Sequence, residues 1–358
     1  MYEKKVKEET LHEPFMSRCL DLARLGLGGT VPNPMVGSVI VHDGIIIGEG
    51  YHRNYGGPHA EVNAVNSVKD DGLLPSSTLY VNLEPCSHTG KTPPCADMIV
   101  RSGIRNVVIG TPDPNPLVAG NGIRKLEEAG VKVTSYVLTE KCEYLNRRFF
   151  TYFTRKRPFV ILKWAQTLDG FIDIKRRNGD PAAPNWISND ISRMIVHEWR
   201  SEEQAILVGT NTALLDNPKL NVREWPGKSP VRLVIDRTLR LPETLHVFDN
   251  SYKTVIFNEV VDRQEKETRY KRLDFSQDII PQMMSWLYSQ GVQSLLVEGG
   301  RYLLEAFIKS GCWDESRVFT GRKNFGSGVE APVITDIEPE KYAVREDVLR
   351  IYRRGLGV

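Results

Sequence analysis

The chain has 358 residues, of which 41% are hydrophobic and 26% are charged, a composition typical of a globular protein with room for two domains. A formal net charge of +2 gives no strong overall field, so nothing in the charge balance calls for nucleic acid as a partner. No apolar run of about 18 residues predicts a membrane span, and five cysteines, an odd number, argue against a disulfide framework. We therefore expect a cytoplasmic protein.

In the first part of the chain, the apolar pattern alternates between helical and strand periods. Two β-branched runs joined by His42-Asp43-Gly44 predict a hairpin. Pro58 lies at a position that favours the start of a helix. The predicted order is helix 13–27, strands 36–41 and 45–50, a helix from Pro58, strand 78–83, helix 95–102, strand 107–109, helix 122–129 and strand 131–138.

Four residues in this part form a metal-binding pattern, namely His59, Glu61, Cys86 and Cys95. Zinc binds imidazole nitrogen and thiolate sulfur, and a catalytic zinc site keeps three protein ligands and a water. His59 and Cys95 are predicted at helix N-termini, where the helix dipole favours a thiolate. We predict that His59, Cys86 and Cys95 hold one zinc ion and that Glu61 moves protons, as in the zinc deaminases.

The reaction that this pattern predicts is hydrolytic deamination. Bound zinc lowers the pKa of a water from about 16 to about 7. Glu61 would pass the proton of that water to a ring nitrogen and then to the departing ammonia. The alternative is a structural zinc site, which needs a fourth protein ligand, and His88 could supply it.

The cysteine spacing separates this pattern from most zinc deaminases. Eight residues, Ser-His-Thr-Gly-Lys-Thr-Pro-Pro, lie between Cys86 and Cys95, where the common pattern has two. With this spacing the segment resembles the pyrimidine deaminases of riboflavin biosynthesis, and the element order resembles the cytidine-deaminase-like α/β/α sandwich. From local chemistry alone, the proline-flanked Asn33 and Asn115 could equally cap turns. The resemblance implies instead that they line a substrate site, whose residues would be Asn33, His52, His88, Lys91 and Asn115.

A segment that mixes aromatic and basic residues, 149–157, ends at Pro158 and predicts a linker between two domains, 1–148 and 158–358. Beyond it, short apolar runs alternate with helical patterns, which predicts an α/β domain with a largely parallel sheet. Lys163 interrupts an apolar strand, where a charge is costly without a partner or a function. Strands are predicted at 159–164, 206–209, 231–235, 255–257 and 295–297, and helices at 192–201 and 302–309.

No G-x-G-x-x-G pattern follows a strand, which argues against a dinucleotide-binding Rossmann unit. Instead, Gly299-Gly300 joins a strand to a helix, where backbone N–H groups could hold a phosphate, although a tight turn is the simpler explanation. Strand 159–164 with the following Ala165-Gln166-Thr167-Leu168-Asp169-Gly170 resembles the opening of the dihydrofolate-reductase-like reductases. The Gly-Gly turn, together with Val208-Gly209-Thr210-Asn211-Thr212 and the segment 216–223, is similar to the reductases of riboflavin biosynthesis. The chain as a whole resembles the bifunctional deaminase–reductases of riboflavin biosynthesis.

This resemblance implies a dihydrofolate-reductase-like α/β domain that uses NADPH. The implied substrate contacts are Arg200, Leu220, Arg223 and Glu298, with the two arginines clamping a phosphate. Lys163 and Glu298 are candidates for polarising the sugar during hydride transfer. Pro184-Asn185, before Trp186, departs from the family pattern. The implied NADPH contacts are Ala165, Trp186, Thr212, Asp216, Gly300, Arg301, Tyr302, Leu303 and Leu304.

We therefore expect deamination of 2,5-diamino-6-(5-phosphoribosylamino)pyrimidin-4-one, followed by NADPH-dependent reduction of the ribosyl group of 5-amino-6-(5-phosphoribosylamino)uracil to ribityl. The partners would be these small molecules, without nucleic acid or membrane, in a chain that could form a homo-oligomer. The alternatives are a zinc deaminase acting on RNA or nucleosides with a C-terminal binding domain, and a non-catalytic zinc protein. Residues 321–328 fit no assigned role.

Overall fold

The computed structural model describes residues 2–87, 93–116, 118–176 and 182–355, with side chains from residue 11 onward. The chain divides into two compact units, Met1–Arg155 and Lys156–Val358. Within the described residues, no helix combines the length and the apolar character needed to cross a membrane.

The first unit is built on a five-stranded sheet with the order β2-β1-β3-β4-β5. Strand β1 runs antiparallel to β2 and β3, whereas β3, β4 and β5 are parallel. The strands are β1 Gly37–His42, β2 Ile45–Tyr51, β3 Thr78–Leu83, β4 Asn106–Thr111 and β5 Lys132–Thr134. The helices are α1 Tyr2–Arg24, α2 Ala60–Asn66, α3 Cys95–Arg101, α4 Asn121–Glu128, α5 Thr139–Leu145 and α6 Arg147–Arg155, with a 3₁₀ turn at Asp71–Ser76.

Helices cover both faces of this sheet, because successive strand residues point to opposite sides. Val39 packs in a cluster that includes α1 and α5, while the neighbouring Ile40 packs in a second cluster with α2, α3 and α4. The predicted α/β/α sandwich is confirmed. Gly50 allows α2 to approach β2, since an added Cβ would lie 2.3 Å from the Ala64 nitrogen.

One prediction for the end of this unit was wrong. The strand expected at 131–138 covers only Lys132–Thr134, and Leu138 adopts a left-handed φ of 54° immediately before α5. The segment expected to be a linker is largely helical, as α6. Its buried face includes Arg148 and Thr151, so apolar spacing does not mark it as a helix. Helix α2 begins at Ala60, with His59 as its N-cap, rather than at Pro58.

The second unit contains a ten-stranded sheet with the order β11-β12-β10-β9-β8-β13-β6-β14-β17-β16. The seven strands from β12 to β14 in this order are parallel, and antiparallel strands flank them at both edges, so the predicted largely parallel sheet is confirmed. The ten strands of this sheet are β6 Phe159–Gln166, β8 Ala205–Gly209, β9 Val231–Ile235, β10 Thr254–Asn258, β11 Arg263–Glu265, β12 Thr268–Arg272, β13 Ser294–Val297, β14 Glu315–Thr320, β16 Glu340–Val344 and β17 Asp347–Arg353. Two further strands, β7 Phe171–Asp173 and β15 Val329–Glu330, pair antiparallel in a separate two-stranded sheet.

Two apolar clusters cover the two faces of this large sheet. Leu162 and Phe307 belong to one cluster, and Ile161 and Ala213 to the other. The helices are α7 Asp190–Glu202, α8 Thr210–Asp216, α9 Ile279–Ser289 and α10 Arg301–Ser310, with a 3₁₀ turn at His246–Phe248. In such sheets ligands bind outside the carboxyl ends of the strands. The residues that follow β6, β8 and β13 therefore share the edge where a ligand is expected.

Candidate active sites

The three predicted metal ligands converge in the first unit. His59 is the N-cap of α2, Cys86 follows the end of β3, and Cys95 is the first residue of α3. The Nδ1 atom of His59 lies 3.6 Å from Cys86 Sγ and 3.3 Å from Cys95 Sγ. One ligand atom from each residue lies within 4.8 Å of the others, and within the described part of the chain these three residues form the group that could hold a metal.

This donor set fits zinc. With Zn–S of about 2.3 Å and Zn–N of about 2.0 Å, tetrahedral ligand atoms stand roughly 3.6 Å apart, which matches the observed separations. Three protein donors leave one position for water, as in catalytic sites. His88, the possible fourth ligand of a structural site, lies outside the described residues, as does Lys91.

The protein stabilises a thiolate among these donors. The pKa of the Cys86 thiol is lowered to about 4, because hydrogen bonds from the Cys95 side chain and the His59 ring stabilise its anion. The backbone N–H of Cys95, at the start of α3, also donates to Cys86 Sγ at 3.3 Å. The hydrogen bond with Cys86 raises the pKa of His59, although burial of the ring opposes this shift. The contact with Cys86 also raises the pKa of Cys95, and burial of this thiol raises it further.

Glu61 lies in the first turn of α2, two residues after His59, and is only 3% exposed. Burial, together with the negative charge of Cys86, raises the pKa of its carboxyl to about 7. A hydrogen bond with the Cys95 side chain places this carboxyl beside the metal group. A buried carboxyl at this position can exchange a proton with a ligand in the site.

Asn33 and His52 join the same site. His52 Nδ1 is 3.0 Å from the Pro58 carbonyl, which can only accept, so Nδ1 carries the proton and Nε2 accepts from Asn33 Nδ2 at 3.1 Å. Burial lowers the pKa of His52, which keeps the ring neutral at neutral pH. The His52 and His59 rings meet edge to face with centroids 5.3 Å apart. The predicted amide of Asn33 is thus oriented next to the metal group.

A hydrogen bond from its backbone N–H group holds Asn115 in place. Its N–H donates to Asp113 Oδ1 at 2.7 Å, and the N–H of Asp113 donates to the buried carboxylate of Glu84 at 3.1 Å. Burial raises the pKa of Asp113 to about 7, and the charges of Glu84 and Cys86 contribute to the shift. Sequence reasoning missed Glu84 and Asp113. The available signal was a carboxylate, Glu84, between a largely buried strand and a predicted metal ligand.

In the second unit, three predicted residues form a buried charged cluster. Arg200 Nε and Nη2 donate to the two carboxylate oxygens of Glu298 at 2.8 and 2.7 Å, and Lys163 Nζ lies 3.9 Å from Glu298. Burial would raise the pKa of Glu298, but the charges of Arg200 and Lys163 outweigh it and lower the pKa to about 2. Burial lowers the pKa of Lys163. The carboxylate is therefore ionised and the ammonium is made more acidic.

The two predicted phosphate ligands have different surroundings. The side chain of Arg200 is 12% exposed, forms an ion pair with Glu298 and donates to the Asn221 carbonyl. The side chain of Arg223, in contrast, is 40% exposed. The backbone N–H of Arg223 donates to Nδ1 of His197 at 3.4 Å. His197, which sequence reasoning also missed, is 3% exposed. Leu220 is 2% exposed with a left-handed φ of 50°, so its backbone rather than its side chain faces any ligand.

The Gly-Gly turn brings β13 and α10 against the end of β8. A Cβ on Gly299 would lie 2.9 Å from Val208 Cα, and Gly300 has a φ of 47° with Thr212 Oγ1 3.1 Å from an added Cβ. No described side chain caps α10, so the N–H groups of its first turn remain for a ligand. Leu303 and Leu304 are buried, so only backbone atoms of these two residues could contact NADPH.

The remaining predicted NADPH contacts lie at the ends of β6, α8 and α10 and in the segment before α7 that carries Trp186. Asp216 accepts from Arg176 Nη2 at 2.6 Å, and this arginine also donates to Asp173. The side chain of Arg176 is only 10% exposed. Tyr302 is 89% exposed, Trp186 is 48% exposed, and Ala165 is half-buried near the end of β6. Arg301 donates to Glu305 and Glu330.

Residues 321–326, which follow β14, contact two segments that we call the predicted cofactor loops. These are the turn after β6, which carries Leu168 and Asp169, and the segment before α7, which carries Trp186. The Lys323 carbonyl accepts from the N–H of Leu168, and Lys323 Nζ donates to the Trp186 carbonyl at 2.6 Å. The N–H groups of Phe325 and Gly326 donate to the Asp169 carboxylate. The segment without an assigned role in the sequence thus lies against the predicted cofactor loops.

Fold and donor set define a class: a zinc-dependent deaminase of the cytidine-deaminase type joined to an α/β reductase. The cytidine and deoxycytidylate deaminase zinc-binding region matches residues 9–111, and the RibD C-terminal domain matches residues 158–356. The riboflavin biosynthesis protein RibD of Aquifex aeolicus is 40% identical over 88% of each chain, and that of Actinobacillus pleuropneumoniae is 42% identical over 87% of this chain and 84% of the relative.

A solved structure agrees with these matches. The diaminohydroxyphosphoribosylaminopyrimidine deaminase/5-amino-6-(5-phosphoribosylamino)uracil reductase of Thermotoga maritima is 38% identical, covers 97% of this chain and 99% of its own, and superposes with a TM-score of 0.84. The chain belongs to the RibD family of riboflavin biosynthesis proteins. It is a bifunctional deaminase and reductase, with zinc as the cofactor of the first activity and NADPH as that of the second.

Proposed function

We propose that the chain deaminates 2,5-diamino-6-(5-phosphoribosylamino)pyrimidin-4-one and then reduces the ribosyl group of 5-amino-6-(5-phosphoribosylamino)uracil to ribityl. The observation that carries this proposal is the group of His59, Cys86 and Cys95 with the buried carboxyl of Glu61 beside it. The name of the Thermotoga maritima protein, which states both activities, supports the same substrates for this chain.

In the deamination step, His59, Cys86 and Cys95 would hold the zinc, which supplies an acidic, nucleophilic water when bound. As the oxygen of this water adds to the amino-bearing ring carbon, Glu61 would take the released proton and pass it to the adjacent ring nitrogen. Glu61 would then carry the proton of the new hydroxyl group to the amino nitrogen, so that the C–N bond breaks, the carbonyl forms and ammonia leaves. Asn33, oriented by its bond to the neutral His52, hydrogen-bonds the pyrimidine, and Asn115 contributes from the loop that follows β4. His88 and Lys91 complete the substrate site in the proposal.

In the reduction step, NADPH would supply a hydride to C1 of the ribose, and the ring oxygen that is released from C1 would take a proton. Lys163 is the proton donor, since burial lowers its pKa, and Glu298 holds the sugar and the ammonium. Arg200 fixes Glu298 through two hydrogen bonds, and the more exposed Arg223 binds the substrate phosphate.

NADPH would bind at the carboxyl edge of the second sheet. The first turn of α10, which begins after Gly300, offers backbone N–H groups to its phosphates. The other proposed NADPH contacts are the backbone of Arg301 to Leu304 and the residues Ala165, Trp186, Thr212 and Asp216. Leu220 is a proposed contact of the substrate rather than of NADPH.

The proposal also covers the domain boundaries, the cellular location and the oligomeric state. The deaminase domain would cover 1–148, the linker 149–157 and the reductase domain 158–358, and the enzyme would work in the cytoplasm, where its five cysteines stay reduced. A homo-oligomer is compatible with these assignments.

One assay tests the proposal. The purified chain is incubated with the diaminopyrimidine nucleotide and NADPH, and ammonia release, NADPH oxidation and zinc content are measured together. We expect about one zinc per chain, with one ammonia released and one NADPH oxidised per substrate converted. Ammonia release without NADPH oxidation, or oxidation without prior ammonia release, would reject the two-step assignment.

A further inference from the structure

The carboxylate of Glu84 binds four backbone N–H groups in the first unit. Glu84 Oε1 accepts from Gly122 at 2.8 Å and from Ile123 at 3.2 Å, while Oε2 accepts from Gly120 at 3.0 Å and from Asp113 at 3.1 Å. Glu84 is 4% exposed, so these contacts are shielded from water. Each oxygen accepts two hydrogen bonds, which is the full capacity of an ionised carboxylate at these lone pairs.

These N–H groups lie at the two ends of one loop. Asp113 follows β4, and Gly120, Gly122 and Ile123 form the beginning of α4, where no described side chain provides a local cap. The loop between them carries Asn115, whose N–H donates to Asp113 Oδ1. One side chain therefore fixes both ends of the segment that carries Asn115.

Glu84 is also close to the metal group along the chain, since only Pro85 separates it from Cys86. Its own N–H donates to the Thr111 carbonyl at 3.0 Å, which ties the ligand segment to the end of β4. A Cβ on Gly122 would lie 2.0 Å from the Pro85 carbonyl oxygen, so the first turn of α4 packs directly on this segment. The Asn115 loop and Cys86 are thus held to the same short stretch.

We propose that Glu84 is a positioning residue of the deamination step, which sets the place of Asn115 relative to the metal group. The inference rests on the proposed function, in which Asn115 binds the pyrimidine. Glu84 acts through the backbone of the loop and does not touch the substrate. Its removal therefore weakens substrate binding more than it weakens zinc binding.

The isosteric variant Glu84→Gln makes a sharp test. Whichever way the amide is turned, its NH₂ group faces two backbone N–H donors, so two of the four hydrogen bonds are replaced by donor–donor contacts. We expect a rise of roughly ten-fold in the KM for the diaminopyrimidine nucleotide, a smaller change in kcat, and zinc still near one per chain. Glu127→Gln, on the exposed face of α4, is the matched control and should leave both constants unchanged.

The double variant shows whether Glu84 acts through Asn115. Asn115→Ala should raise the KM by itself, and Glu84→Gln combined with Asn115→Ala should raise it no further than the larger single effect. Independent, multiplying effects would overturn the inference, as would a normal KM for Glu84→Gln or a joint loss of kcat and zinc at unchanged KM.

The design separates two failures. A normal KM for Asn115→Ala would reject the substrate role of Asn115, and with it the proposed function of that residue. A raised KM for Asn115→Ala with a normal KM for Glu84→Gln would reject the inference alone. If Glu84→Gln does not fold, Glu84→Asp, which keeps both oxygens but withdraws them by one methylene, must raise the KM. A normal KM for this variant overturns the inference.

Discussion

At the scale of single residues, the proposed function depends on charges that are buried next to specific partners. Glu61 and Glu298 are both shielded carboxyls, yet their pKa values move in opposite directions, to about 7 and about 2. Burial next to Cys86 disfavours the anion of Glu61, whereas Arg200 and Lys163 stabilise that of Glu298. The surroundings of each carboxyl therefore suit proton exchange in one unit and a fixed negative charge in the other.

Glu61→Gln should remove proton transfer while leaving the metal donors in place. We expect ammonia release to fall by roughly 10²–10⁴-fold, because this is the typical contribution of a positioned acid–base group. Zinc content, measured by metal analysis of the purified variant, should remain near one per chain. Glu128→Gln, at an exposed site on α4, serves as the control. Substantial turnover by Glu61→Gln would contradict its assignment as the proton shuttle.

His197 should make the second unit less stable in mild acid. Burial and the charges of Arg200 and Arg223 lower its pKa to about 4, from an ordinary value near 6.5, although Glu224 and Glu298 oppose the shift. As pH falls from 6.5 towards 4, the unfolded chain binds a proton that the folded chain does not, so stability is lost in this window. Glu298 affects stability only below its ordinary pKa of 4.5, because its folded pKa is lowered.

The measurement compares wild type with His197→Asn, which does not titrate. Between pH 7 and pH 5 the wild type should lose roughly 1–2 kcal/mol more of the free energy of unfolding than the variant. All six tryptophans lie in the second unit, so their fluorescence during urea unfolding reports this unit alone. Equal losses in the two proteins would show that His197 is not held neutral in the fold.

At the scale of elements, loops acquire their positions from segments distant in sequence. The turn between β6 and β7 carries Asp169, whose carboxylate accepts from the N–H groups of Phe325 and Gly326, more than 150 residues later. Gly321 packs against the Ile187 carbonyl, and an added Cβ would lie 2.4 Å from that oxygen. The segment 321–326 therefore sets the spacing between the turn that follows β6 and the segment that carries Trp186.

Asp169→Ala should loosen this spacing. We expect a several-fold rise in the KM for NADPH in the reduction of 5-amino-6-(5-phosphoribosylamino)uracil, with ammonia release unchanged. Asp274→Ala is the control, because Asp274 is also exposed and also accepts from a nearby backbone N–H, that of Ser276, outside the predicted cofactor loops. An unchanged KM for NADPH would mean that 321–326 does not position the cofactor loops.

At the scale of the whole molecule, the two chemistries depend on separate units. The three metal donors lie in Met1–Arg155, whereas Lys163, Arg200 and Glu298 lie in Lys156–Val358. Each unit has its own sheet and its own apolar clusters. Loss of one chemistry should therefore leave the other intact.

Removal of zinc tests this separation. After treatment with a chelator, ammonia release should stop, while reduction of the preformed uracil nucleotide by NADPH should continue at an unchanged rate. The tryptophan unfolding midpoint of the second unit should also stay the same. Readdition of zinc should restore ammonia release. A parallel loss of reduction would show that the second unit needs the metal-loaded first unit.

The sequence by itself determined the main elements and the metal donors. Apolar periodicity over β3, β9 and β6 records burial directly, and His59, Cys86 and Cys95 are side-chain types that few other roles require. Apolar periodicity did not predict helix α6 or the early end of β5. The reason is that the burial of Arg148 and the left-handed backbone of Leu138 depend on residues that contact them in the fold.

Only the tertiary structure decided which polar groups meet. Glu84 and Asp113 are 29 residues apart in sequence, and Arg200 and Glu298 are 98 apart. The sequence shows that a residue is a glutamate, but it does not show whether its carboxylate accepts hydrogen bonds from four backbone N–H groups or is exposed to water. The physical reason is that hydrogen bonds and ion pairs act over a few ångströms in space, and the fold alone brings distant residues to that range.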